Sequence, residues 1–141
     1  MSLAIDKLLI VQLVNWLNEK KEEIPLSVPV LLDDHEDTGE QIWIQPLEAT
    51  KIIKRYTSGN YIGQLPFAVY YQLTNPEKMA LLDVPLWALG EYFENHKPEL
   101  DGFQLIDIEM NATPAPFSRT DSGTFANQAV FQLIYKNEKR K

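Results

Sequence analysis

Cysteine is absent from the 141-residue chain, which excludes disulfides, thiolate catalysis and cysteine-ligated zinc. Histidine is scarce: only His35 and His96 occur. His35 stands alone among carboxylates, and one histidine in that company is not a zinc pattern. No run approaches the roughly 18 apolar residues of a membrane span, and no basic segment followed by an apolar stretch opens the sequence. A soluble protein made in the cytoplasm is expected. Basic residues are the minority, 13 Lys and Arg against 20 Asp and Glu, for a net charge of −7. A chain of that sign repels a polyphosphate at long range, so sequence-specific nucleic-acid reading, which needs a concentrated basic surface, is not expected. Neither a Gly-rich phosphate loop nor a Gly-x-Ser-x-Gly elbow is present.

Apolar residues make up 45% of the chain. At this length they are enough for one domain that buries about 70% of the surface its unfolded chain exposes. The expectation is a single domain over residues 1–141, with residues 136–141 as a frayed basic tail.

Periodicity supplies the elements. Ile5, Leu8, Leu9, Leu13 and Trp16 recur at helical spacing behind Ser2, so residues 3–18 are expected to form an amphipathic helix capped by Ser2. Val28, Val30, Leu31 and Leu32, set beside Pro25 and Pro29, are expected as an edge strand, because proline cannot donate to an inner ladder. Gln41–Gln45 alternates as a strand. Lys51–Tyr56 and Tyr61–Leu73 flank Thr57-Ser58-Gly59-Asn60, a hairpin signal; Pro66 inside the second arm predicts that its first half is an edge or bends away. Asn75-Pro76 predicts a helix start, with an apolar stripe Met79, Leu82, Leu86, Leu89 and Phe93 broken or kinked at Pro85, the second piece starting near Asp83. Phe103–Met110 and Gln128–Tyr135 alternate as strands. Between them, Asn111–Ala126 carries Pro114, Pro116 and the turn signal Asp121-Ser122-Gly123, and is expected to be a projecting loop that continues neither ladder. Helix, strands, helix and strands without regular alternation give an α+β class: one mainly antiparallel, mixed sheet with two main helices on one face.

Candidate chemistry is thin. The acidic run Asp33, Asp34, His35, Glu36 and Asp37 fails as a calcium loop, since position six is Thr38 and position twelve is Ile44. It reads as a solvated loop. Lys51, Lys54 and Arg55 read as a solvated strand edge, His96 as a helix-end residue, and Asp107 with Glu109 as the polar outer face of a half-buried strand. A competing reading is a small ligand-binding or hydrolytic domain, with the acidic run or a pocket under Trp43, Trp87 and Tyr92 as its site.

The strings YTSGNYIGQLPFAVYYQ and IEMNATPAPFSRTDSGTFANQAVFQLIY carry a resemblance. With the residues between them, from about Ile42 to Tyr135, they are similar in order and spacing to the minor capsid and tail-terminator proteins of long-tailed bacteriophages and Gram-positive prophages. Pro25–Glu36 lies outside that likeness, and head-completion or neck proteins share its size, charge and fold class. The resemblance implies a non-enzymatic virion protein at the head–tail junction that needs no cofactor. It would form a homo-oligomeric ring, closing either in solution or only on assembly, that caps the tail-tube protein, meets the head–tail connector and lets DNA pass without gripping it. The contact residues implied within the loop are Thr113, Pro114, Arg119, Asp121 and Gly123, with Arg119 reaching a neighbour's carboxylate and Pro114 stiffening the loop.

Overall fold

The structure, a computed structural model, describes residues 3–33 and 39–137. Ser2, most of the acidic run and residues 138–141 fall outside them. Two helices, α1 (Leu3–Glu19) and α2 (Val84–Asn95), accompany six strands: β1 (Val30–Leu32), β2 (Gln41–Pro46), β3 (Lys51–Arg55), β4 (Tyr61–Thr74), β5 (Phe103–Arg119) and β6 (Thr124–Asn137). The strands form one sheet in the order β1-β2-β4-β6-β5, with β3 also paired to β4. Only β1 with β2 is parallel. The α+β class with one mixed sheet is what the sequence pattern predicts.

Alternation sorts the sheet into two unlike faces. Ile42, Ile44, Leu65, Phe67, Val69, Phe131, Leu133 and Tyr135 point to one side and join Leu9, Leu13, Leu17, Leu86, Leu89 and Phe93 in the main core. Both helices therefore cover the same face. Phe131 is its centre, stacked on Phe67 at 5.5 Å and edge-on to Phe93 at 5.5 Å. On the opposite face Trp43, Ala68, Tyr70 and Ala126 form a small separate cluster, and none of the described helices lies over it.

Polar pins fix the layers. Buried Asp6 of α1 accepts hydrogen bonds from the Thr50 amide and hydroxyl, and Tyr135 donates to the same Thr50 hydroxyl at 3.0 Å. Asn18 closes the outer edge of β1, accepting from the Val30 amide at 2.7 Å and donating to its carbonyl at 3.0 Å. Gly63 is required where β4 passes this cluster: a Cβ there would lie 2.5 Å from Thr50 Cγ2 and 3.0 Å from the Tyr135 ring.

Three expectations change. Pro66 does not mark a free edge: β4 pairs with β6 along its length and on its other side switches from β3, up to Gln64, to β2, from Phe67. Pro66 occupies that gap, where its carbonyl accepts from Leu47 and no donor is needed from it. Asn75-Pro76 does not start a helix. Asn75 takes a positive φ of 49°, and a short 3₁₀ helix, Met79–Leu82, precedes α2; the break at Pro85 is as expected, with Pro85 in the first turn of α2 behind Asp83. The largest change concerns Asn111–Ala126. Residues 111–119 continue β5 and 124–126 belong to β6, leaving only a four-residue turn, 120–123. β5 is an edge strand, so its prolines need donate to no outer neighbour, and two of its four register shifts against β6, Ala112/Ala115 and Pro116/Ser118, fall at them. Removing this segment would strip β4 of its pairing with Thr124–Ala126; it is part of the sheet and not a dispensable loop.

Candidate interaction surface

The five implied contact residues lie at one end of the β5–β6 hairpin, in two different settings. Thr113 is exposed and Pro114 half-buried on the edge strand, within the run Asn111–Phe117 that carries almost no burial. Asp121 is exposed in the turn. Gly123 instead faces inward: its φ is 88°, its carbonyl accepts from the Asn75 amide at 2.7 Å, and a Cβ there would collide with Asn75 Oδ1. The turn is thereby tied to the end of β4.

Arg119 is engaged within its own chain. Its guanidinium donates to the Ser118 and Ala126 carbonyls and to Asn127 Oδ1, each at 2.8 Å, and lies 5.4 Å from the Phe125 ring centre. The amide of buried Asn127 passes the link on, donating to Asp83 Oδ1 at 2.6 Å at the start of α2. The guanidinium thus couples edge strand, inner strand and helix start, which accounts for its position without a neighbour's carboxylate.

The bare sheet face adjoins this edge. Gln41, Gln45, Gln64, Gln128 and Gln132 alternate there with Trp43, Ala68, Tyr70, Val130 and Ile134, and no charged residue falls on β2, β4 or β6 between Gln41 and Ile134 on that side. Phe117 reaches over from the edge strand, 53% exposed, against Tyr70 at 4.6 Å, and Trp43 stacks on Tyr70 at 5.0 Å. Depletion of charge with aromatic anchors is the composition of an interface centre.

A second surface follows the 3₁₀ helix and α2. Met79, Leu81, Val84 and Trp87 are all substantially exposed, Val84 at 60% and Trp87 at 50%. Leu82, Leu86, Leu89 and Phe93 are buried as the stripe predicts, whereas Met79 is not, because the stripe's phase changes at the break. Val84 and Trp87, apolar residues three apart and outside the core stripe, are the signal that periodicity offers for this surface. Beyond Trp87 a groove of about 700 Å³ opens between α2 and β5, lined by Trp87, Gly90, Glu91, Glu94, Lys97 and residues 107–110 of β5. Gly90 shapes its floor, since a Cβ would lie 2.9 Å from Met110 Cε.

The remaining candidates separate. Trp43 is on the bare face, Trp87 in the α2–β5 groove and Tyr92 on the α1 side of α2, so they enclose no common pocket. His96 caps α2, its amide bonded to the Tyr92 carbonyl at 2.8 Å and its ring stacked on Tyr92 at 4.1 Å. Asp107 pairs with Lys97 at 3.2 Å. Lys51, Lys54 and Arg55 are exposed on β3, and Lys54 and Lys136 lie 5.1 Å and 4.8 Å from the Tyr56 ring centre. Among the described residues no group of three metal-ligating side chains converges, and no helix is long and apolar enough to cross a membrane. Burial pushes the phenols of Tyr71 and Tyr135 up from the usual tyrosine range, the Glu40 carboxylate adding to the effect at Tyr71. Buried phenols kept neutral in this way belong to the packing.

No family model and no curated protein matches the chain. Among solved structures, a chain of the virion of the native gene transfer agent particle has a similar fold, with a TM-score of 0.56 over 76% of this chain and 78% of that one at 8% sequence identity. At that identity the likeness is one of fold.

Proposed function

We propose that this protein is a structural component of a phage-like virion, a tail-terminator or minor capsid subunit that assembles as a ring, caps the tail tube and joins it to the head. The observation that carries the reading is the fold shared with a virion chain across three quarters of this one, alongside the strings that resemble the terminator family. Work of this kind is done by surface complementarity. A closed ring needs two different patches on each subunit, related by a rotation that closes. Two unlike surfaces are present: the bare face, free of charge along β2, β4 and β6 from Gln41 to Ile134, with its edge strand 111–117, and the exposed apolar line Met79–Trp87 leading into the α2–β5 groove. The net charge of −7 suits a ring through which DNA slides without being held.

The test is the mass of the purified protein against concentration, then the same protein mixed with polymerising tail-tube protein under the electron microscope. Rings, or tubes capped at one end and of limited length, are expected. Protein that stays monomeric and leaves tube growth unchanged overturns the terminator role; binding to the head–tail connector in that case would assign the chain to the neck.

A further inference from the structure

We propose that the groove between α2 and β5 receives the basic segment Lys139-Arg140-Lys141 of a second copy of this chain. This rests on the ring reading and names the two pieces that meet in it. The groove presents three carboxylates, Glu91, Glu94 and Asp107, against one lysine, Lys97, which is already paired with Asp107; Glu109 lies opposite Gln132 and turns to the other face of the sheet. Glu91 and Glu94 are exposed. Trp87, half exposed, forms an apolar wall, and Met110 lies along the floor that Gly90 leaves open. An aromatic face beside several carboxylates is the setting that holds lysine and arginine side chains, the ring attracting the cation and the carboxylates accepting its hydrogen bonds. In a chain of net charge −7, three consecutive cations occur only at 139–141, and Lys136 is already held near Tyr56.

Reach decides which copy supplies them. β6 leaves the sheet at Asn137, opposite Phe103, and runs away from the groove, which begins at Asp107. That is four positions back along β5, about 13 Å. Lys139 to Lys141 lie two to four residues beyond Asn137, a span of about 7–14 Å fully extended, and reversing direction takes a turn of four residues. A chain's own segment is used up by the turn before its cations reach the carboxylates. Donation to a neighbour is head-to-tail, the form of contact a ring requires.

The indole signals of the three tryptophans in an NMR spectrum provide the test, with Trp87 assigned by its loss in Trp87→Phe. Titration of the full chain with a peptide of residues 136–141 is expected to move the Trp87 signal saturably, to leave Trp16 and Trp43 in place, and to weaken with added salt. Glu91→Gln with Glu94→Gln should lower the peptide's affinity by about tenfold. No shift of Trp87 at millimolar peptide, or an equal shift with a peptide whose Lys and Arg are replaced by Gln, overturns the proposal. So does a Trp87 signal that differs between the native chain and its Lys139→Gln, Arg140→Gln, Lys141→Gln variant at every dilution, which would place each segment in its own groove. The outcomes separate from those of the ring reading: peptide binding without tube capping keeps the groove and removes the ring, and capping without peptide binding does the reverse.

Discussion

The two faces of the one sheet are made by the same strands and differ in almost every other respect. On the helix-covered side, Ile42, Ile44, Leu65, Phe67, Val69, Phe131 and Leu133 are fully buried or nearly so against α1 and α2. On the other side the alternate positions of the same strands carry glutamines, small apolar residues and a Trp43–Tyr70–Phe117 cluster that no described helix covers. Period-2 alternation forces the two sets apart, so the side that holds the fold together and the side free to meet a partner are mutated independently. Stability should respond to one face and assembly to the other.

The largest blow to the covered face is Phe131→Ala. Its ring fills the space between Phe67 and Phe93, and its loss should lower unfolding free energy by about 3–5 kcal/mol in a urea melt; a loss below about 1 kcal/mol would mean that the core is not centred there. Next is Asn127→Ala, which leaves Arg119 and Asp83 without their shared amide. About 2 kcal/mol is expected, and an unchanged melt would remove the link between edge strand and helix start. The raised phenols of Tyr71 and Tyr135 set an alkaline limit. Each is held protonated in the fold above the ordinary value of about 10, so the stability it contributes is full below that pH and declines as pH rises above it, by about 1.4 kcal/mol per pH unit and per phenol. Denaturation midpoints between neutral pH and pH 11 should show the fall and Tyr135→Phe should soften it; a flat profile contradicts the assignment. The smallest effect on stability belongs to Thr113→Lys, exposed on the edge strand. It should stay within about 0.5 kcal/mol of the native chain while impairing self-association or tube capping, and a variant that assembles normally would place the contact elsewhere.

Much of the fold is legible in the amino-acid sequence. Helix α1, the hairpin at Gly59, the alternation of β4 and β6 and the interruption at Pro85 all follow from local signals that packing does not override. The segment Asn111–Arg119 is not legible as strand, for a physical reason. An edge strand exposed on both faces has no apolar alternation to display, and its outer side tolerates the prolines that an inner strand forbids. The same blindness hides the roles of Arg119 and Gly123, whose partners Asn127 and Asn75 are met only once the hairpin closes and the turn docks on the end of β4, contacts that leave no periodic trace. Of the residues that the resemblance implies as contacts, Thr113 and Asp121 are exposed and Pro114 is half-buried. The groove beside Trp87 needs the tertiary contact of α2 with β5 and has no one-dimensional signature beyond an aromatic residue outside the core stripe.

The most direct measurement is hydrogen exchange of the protein alone and bound at the end of tail tubes. New protection is expected in peptides covering Asn111–Phe117 and Met79–Glu94, with Ile42–Ile44 and Ala129–Tyr135 already protected in the free chain. Protection gained instead on the outer surface of α1, or none gained anywhere while the tubes remain uncapped, would contradict that expectation.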